Sequence, residues 1–164
     1  MSRLRLALAL ADGPLELSLT VDAGRLAAVE WSDGAPEEDE DTAAPEPIQG
    51  PWAAWLKAWS RGAPPAPDAL PLMPAATPFQ ARLRSALLAL PFGETRCYGE
   101  LARSLNSSPR AVGQALARNP LPIVVPCHRV VAANGTGGFS GTAGGAAVAI
   151  KRRLLQHEGH HGLA

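Results

Sequence analysis

Cys127 and His128 stand side by side in the run Pro126-Cys127-His128-Arg129-Val130, a nucleophile next to the side chain best suited to take its proton. A thiol attacks only as thiolate, so it needs a base or a positive field close by. The preceding Leu121-Pro122-Ile123-Val124-Val125 is wholly apolar. Its prolines restrict the backbone and its β-branched residues favour extended structure, so it is expected to deliver the pair to a rigid, buried turn. The pair alone also fits a small buried cysteine beside a hydrogen-bonded histidine. A second constellation, His157-Glu158-Gly159-His160-His161, matches the H-E-x-x-H pattern of zinc proteases. That chemistry needs both histidines on one continuous helix and usually a third ligand. Gly159 inside the motif argues against the helix, and His128 is the only other histidine.

The two cysteines, Cys97 and Cys127, have neither disulfide-framework nor metal-ligand spacing. No metal and no cofactor is expected, and a reducing, cytoplasmic compartment is the simplest reading. The chain has 164 residues, 46% of them hydrophobic, enough for one domain or two small ones. No apolar run approaches the roughly 18 residues of a membrane span, so no membrane partner is expected. The leucine-rich residues 4–10 read as a strand and not as a secretion signal.

The formal net charge of zero conceals a division. Residues 1–78 hold 5 basic and 12 acidic side chains, whereas residues 79–164 hold 10 basic and 3 acidic ones. The second half is therefore expected to face a polyanion.

The elements that must position Cys127 follow from periodicity. Leu4, Leu6, Leu8 and Leu10 alternate, as do Leu15, Leu17, Leu19 and Val21, with the hairpin turn Asp12-Gly13 between them. Residues 26–31 add a third strand. Residues 33–50, with seven carboxylates and little to bury, read as a mobile acidic loop. Trp52, Trp55, Leu56 and Trp59 mark one face of a short helix, and the Pro/Ala-rich residues 61–76 read as a linker. Thr77 can cap a helix that Pro78 opens and Gln80 can reinforce. Leu101 and Leu105 mark a second short helix. Ser108 caps a third, opened by Pro109 and stopped at Asn119-Pro120. Two short helices joined by a tight turn in a basic segment spell helix-turn-helix. A last helix runs from about Ala147 to Glu158.

Several segments stand in the order and spacing of the O6-alkylguanine-DNA alkyltransferases. They are Gly93-Glu94-Thr95, Tyr98-Gly99-Glu100-Leu101-Ala102, Arg110-Ala111-Val112-Gly113, Asn119-Pro120 and Pro126-Cys127-His128-Arg129-Val130-Val131. Asn134-Gly135, Gly138-Phe139-Ser140-Gly141 and Lys151…Leu154-Leu155…Glu158-Gly159 fit as well. The resemblance covers residues 77–159 well and is looser before them. It implies an α/β (α+β) fold. Residues 1–76 would form a small antiparallel sheet with a helix, ribonuclease-H-like, and residues 77–164 a helical domain with a winged helix-turn-helix-like core.

It implies single-turnover DNA repair, in which a flipped guanine gives its O6-alkyl group, and possibly O4-alkylthymine its own, to Cys127. The partner implied is double-stranded DNA carrying O6-alkylguanine, bound through the minor groove by a monomer. His128 would take the thiol proton through a water, held by Glu158. Tyr98 would donate a proton to the guanine, the Ser140 N–H would face O6, and Val130 and Phe139 would line the base pocket. Asn119 would brace the turn before the cysteine. Arg110 would fill the vacated stack, with Ala111 and Gly113 permitting close approach. Lys151 stands near the site or faces solvent. The chain departs from the pattern at Arg84, where many relatives place tryptophan, and in a longer segment 142–147. It also lacks the zinc ligands of some relatives. A competing expectation is a non-enzymatic lesion-recognising protein of the alkyltransferase-like type, in which the reactive cysteine is replaced.

Overall fold

In the computed structural model, residues 1–32, 50–138 and 145–161 are described, and they fall into two compact units, Met1–Met73 and Pro74–Ala164. The acidic segment 33–49 lies outside the described residues, as do Phe139, Ser140 and the rest of 139–144.

The first unit is built on alternation. Strands β1 (Ser2–Leu10), β2 (Gly13–Asp22) and β3 (Arg25–Ser32) form an antiparallel sheet in that order. Leu8 lies opposite Leu15, and Leu19 lies opposite both Leu4 and Val29. The period of two puts Leu15, Leu17 and Leu19 of the central strand on a single buried row. Helix α1 (Pro51–Ser60) presents Trp52, Trp55, Leu56 and Trp59 as its buried stripe and packs on β1.

The Pro/Ala-rich segment after α1 is more ordered than a linker. The Trp55 indole donates to the Pro65 carbonyl at 2.9 Å, and the Trp52 indole donates to the Pro71 carbonyl at 3.0 Å. A 3-10 turn at Pro67–Ala69 follows, and Leu72 bridges in parallel to Leu26. Buried indole N–H groups need acceptors, and the proline carbonyls supply them.

The second unit is helical. Thr77 accepts from the Gln80 amide at 3.1 Å and caps α2 (Pro78–Leu88). Strand β4 (Arg96–Cys97) runs directly into α3 (Tyr98–Ser104), where the Glu100 carboxylate accepts from the Cys97 amide. A four-residue turn leads to α4 (Pro109–Ala117), whose cap Ser108 accepts from the Ala111 amide at 3.1 Å. Helices α3 and α4 pack together, with Leu101 and Ala102 buried on one and Val112 and Leu116 on the other. Residues 127–129 form one 3-10 turn leading into β5 (Val130–Val131), which pairs in parallel with β4. Helix α5 (Ala146–His157) ends at a turn where Gly159 has φ +97°.

All four tryptophans, Trp31, Trp52, Trp55 and Trp59, lie in the first unit, so indole fluorescence reports on that unit. Leu19→Ala at the centre of the sheet should cost about 2–5 kcal/mol there. A urea titration followed by tryptophan emission should show a lowered midpoint, and an unchanged midpoint would contradict the packing.

Candidate active site

The parallel pairing of β4 with β5 is what assembles the site. Arg96 lies opposite Val130 and Cys97 opposite Val131. Tyr98 follows one strand and Cys127 precedes the other, so two distant stretches of sequence converge. Gly137 sits under the tyrosine ring: a Cβ there would meet Tyr98 Cε2 at 3.0 Å and the Ala132 amide nitrogen at 3.1 Å, and its φ is +74°. Only glycine fits such a position. The Tyr98 hydroxyl donates to the Gly138 carbonyl at 3.1 Å.

The turn before the cysteine is strained and firmly tied. Ile123 has φ +71°, rare for a β-branched residue. Asn119 holds the strain from both ends of its amide. Its Oδ1 accepts from the Leu121 amide at 3.1 Å, and its Nδ2 donates to the Val125 carbonyl at 3.0 Å. The same Val125 carbonyl accepts from the Cys127 amide at 2.7 Å. The sequence expectation of a buried, rigid apolar turn agrees with residues 121–130, all of which are buried.

Glu158 lies beneath this loop. Arg129 binds its carboxylate through two nitrogens, Nε at 2.9 Å and Nη2 at 2.7 Å, and sends Nη1 to the Leu90 carbonyl at 2.7 Å. His128 Nε2 is 2.9 Å from Glu158 Oε1, with both side chains fully enclosed. Burial alone would raise the Glu158 pKa, but His128 and Arg129 outweigh it and hold the carboxyl well below its usual range. Burial lowers the His128 pKa, and the opposing pull of Glu158 does not restore it. The imidazole is therefore neutral at pH 7. An ionised carboxylate only accepts, so the proton belongs on Nε2 and the buried Nδ1 is the ring's acceptor.

Burial pushes the Cys127 thiol up to about 11, against the lowering influence of Asn119 and Lys151. Lys151 is fully buried and does not face solvent. Its ammonium donates to the carbonyls of Val130 at 2.6 Å and Gly138 at 2.9 Å, and it lies 5.6 Å from the Tyr98 ring centroid. Desolvation brings its pKa down to about 8, with Cys127 pulling the other way. The Tyr98 phenol is raised by burial and by the charge of Cys127.

The structure thus gathers Cys127, His128, Glu158, Asn119, Tyr98 and Val130. Arg110, Ala111 and Gly113 lie apart on α4, with Arg110 exposed. Two members were given no role in the reading of the sequence. Arg129 was legible only as part of the cysteine pentapeptide, and Lys151 as part of the closing motif, near the site or facing solvent. Cys97 is half-buried. The zinc-protease pattern does not form a site. The helix ends at His157, which meets Phe92 edge-on, while the His160 ring donates to the Gly93 carbonyl at 2.6 Å. Among the described residues no cluster is fit to hold a metal ion.

Residues 78–160 match the family model described as 6-O-methylguanine DNA methyltransferase, DNA binding domain. A methylated-DNA–protein-cysteine methyltransferase of Archaeoglobus fulgidus is 44% identical over 85 residues, covering 51% of this chain and 58% of that relative. One from Saccharolobus solfataricus is 44% identical over 82 residues, covering 50% of this chain and 51% of the relative. The chain thus spans little more than half the length of these curated relatives. Among solved structures, Mycobacterium tuberculosis OGT in complex with DNA is 32% identical with a TM-score of 0.67, covering 95% of this chain and 92% of that one. The O6-methylguanine-DNA methyltransferase of Pyrococcus kodakaraensis is 25% identical with a TM-score of 0.74, covering 97% and 100%.

The Glu158 cluster sets an acid limit on the second unit. A lowered folded pKa means stability that is complete above the unfolded value and lost below it. Calorimetry should show stability falling as pH drops below about 6.5, where unfolded histidine protonates, and more steeply below about 4.3, where unfolded carboxyls do. Glu158→Gln, which strands Arg129, should cost about 3–5 kcal/mol at pH 7, and its deficit should shrink toward pH 3.

Proposed function

The chain belongs to the 6-O-methylguanine DNA methyltransferase family, and we propose from that premise that it repairs DNA by moving an alkyl group from O6 of guanine to its own Cys127. The observation that supports this best is a buried thiol followed in the chain by a buried, neutral histidine whose Nε2 is committed to Glu158. Nothing is consumed but the protein. The thiolate sulfur attacks the alkyl carbon, the carbon–O6 bond breaks, and its electron pair returns to the guanine. The proton lost by the thiol is matched by one gained by the base. One thioether forms per chain and the step is not reversed.

With a thiol pKa of about 11, only about one chain in ten thousand holds a thiolate at pH 7. The proton must therefore leave as the substrate reacts, toward His128 Nδ1 through a water. Glu158 fixes the tautomer and stabilises the imidazolium that results. Lys151 supplies a fixed positive field for the thiolate, and Tyr98, whose raised pKa keeps its phenol protonated, is the donor to the leaving base. Val130 would line the base pocket in this reading, and the roles expected of Phe139 and Ser140 fall outside the described residues. Asn119 is a positioning residue that holds the cysteine turn.

The lesion reaches this pocket only out of the duplex. We read α3 and α4, joined by a four-residue turn, as a helix-turn-helix, and α4 offers exposed Arg110 at its first turn. A Cβ added at Gly113 would meet nothing within 4 Å among the described residues. Glycine inside a helix costs about 1 kcal/mol against alanine, and packing does not require it here, which favours close approach of an outside surface. We assign that surface to the DNA minor groove, Arg110 to the gap left by the flipped base, and the working state to a cytoplasmic monomer. Among the described residues no helix is long and apolar enough to cross a membrane.

Intact mass after incubation with duplex DNA containing O6-methylguanine should rise by one methyl group per chain, mapped to Cys127. Repeated turnover, or binding without mass gain, would overturn the proposal. Cys127→Ala should abolish transfer and keep DNA affinity.

His128→Ala should react slowly with free O6-benzylguanine at pH 7. Its rate should climb by about tenfold per pH unit toward the thiol pKa, whereas the parent chain stays nearly flat above pH 7. Parallel profiles would show that another group takes the proton.

Arg110→Ala should impair repair in duplex DNA far more than reaction with the free base, which needs no flipping. Arg110→Lys should not rescue it, because a thin, hydrated ammonium does not fill a stack. Equal losses on both substrates would place the defect in the Cys127 pocket.

A further inference from the structure

The chain carries no aspartate or glutamate between Glu100 and Glu158, a stretch that holds seven lysines and arginines. Of the two flanking carboxylates, Glu158 is buried against Arg129 and Glu100 is tied to the Cys97 amide. Helix α4 lies inside this stretch. It buries Val112 and Leu116 and exposes Arg110, Gln114 and, at its C-terminal cap, Arg118. The three exposed residues stand four apart, each one turn above the last, so their stripe drifts by only about 80° from end to end. Gln114 is at its middle, opposite the buried pair, with an arginine on either side. The two arginines are separated by eight residues, a rise of about 12 Å. Each strand of DNA advances about 3.4 Å along the axis per phosphate. For a helix lying along the groove, Arg118 therefore falls about three to four phosphates from the position that Arg110 occupies.

We propose that Arg118 is a phosphate anchor, binding one backbone phosphate at that distance from the flipped base. It fixes how far α4 slides along the groove while Arg110 enters the stack. The inference rests on the reading of α4 as the helix that faces DNA, and it adds a second contact of different chemistry. A phosphate contact carries no sequence information but sets register and orientation. Arg110 must fill space, whereas Arg118 needs only its charge. A cation at a helix C-terminus also complements the helix dipole. That role would act on the folding of the chain and leave the salt dependence of DNA binding unchanged.

The test is binding of the full chain to a fluorescent, undamaged duplex, followed by anisotropy over a series of salt concentrations. Each neutralised phosphate adds about 0.9 to the slope of log affinity against log salt. Arg118→Ala should bind more weakly than the parent, and its deficit should shrink about threefold between about 50 and 200 mM NaCl. Arg118→Lys should keep the parent's slope, because an ammonium serves a phosphate as a point charge. The location is read in the Cys127→Ala chain, bound without transfer to a duplex containing O6-methylguanine. A single neutral methylphosphonate, moved along each strand, should weaken binding at about three to four nucleotides from the lesion. Adding Arg118→Ala should remove that effect. The anchor is overturned if the Arg118→Ala slope equals the parent's, if Arg118→Lys does not restore it, or if no methylphosphonate position depends on Arg118. An unchanged slope together with methyl gain at Cys127 would end the anchor and leave the transfer standing. A reduced slope without methyl gain would do the reverse.

Discussion

The second unit depends on one buried carboxylate. Glu158 stands at the end of α5 and is bound by Arg129 and His128, adjacent residues of the cysteine loop. Arg129 continues to the Leu90 carbonyl beyond the end of α2, so a single guanidinium joins three stretches of chain. The last turn adds His160 on the Gly93 carbonyl. A carboxylate enclosed this deeply is tolerable only with a permanent cation against it. Arg129 is that cation, since an arginine does not lose its proton in proteins. Its presence frees the histidine from serving as the counter-ion. His128 can then remain neutral, which is the form that accepts a proton.

The arrangement separates two roles often combined in one contact. Arg129 keeps Glu158 ionised, and Glu158 in turn keeps His128 in one tautomer. The catalytic proposal relies on the second effect, and stability relies on the first. Lys151 repeats the pattern across the loop. It is buried, committed to two carbonyls, and close enough to Cys127 to lower its pKa electrostatically. The thiol nevertheless stays high, so the resting cysteine is a protonated, inert side chain. Under the proposed single transfer this state is protective, because a standing thiolate would be open to any electrophile or oxidant.

Much of the frame was legible in the sequence because its signals are local. Alternating leucines specified the sheet, and Thr77-Pro78 and Ser108-Pro109 marked helix starts where caps are found. The expected linker was misread because composition does not show where tryptophan indoles find acceptors. Proline-rich segments look loose until a neighbouring N–H is buried against their carbonyls. The cysteine, histidine and glutamate were legible through a resemblance carried by short motifs. The roles of Arg129 and Lys151 were not, since nothing in a sequence says that a charged side chain points inward. What turns them inward is the convergence of β4, β5 and α5, a long-range fact.

The Asn119 turn shows why that convergence must be rigid. A β-branched residue at positive φ, as at Ile123, persists only where surrounding bonds over-determine it. Asn119 supplies two of those bonds, and the Val125 carbonyl passes the constraint to the Cys127 amide. The thiol is thereby held in one place before any substrate arrives. An in-line displacement rewards such placement, because an error of about 1 Å in a reacting atom can cost on the order of a hundredfold in rate. Strain before the nucleophile and ion pairing behind it therefore serve one end: the cysteine turn is fixed by Asn119 on one side and by the Arg129–Glu158 pair on the other. Removing either support leaves the chemistry's residues present but no longer aimed.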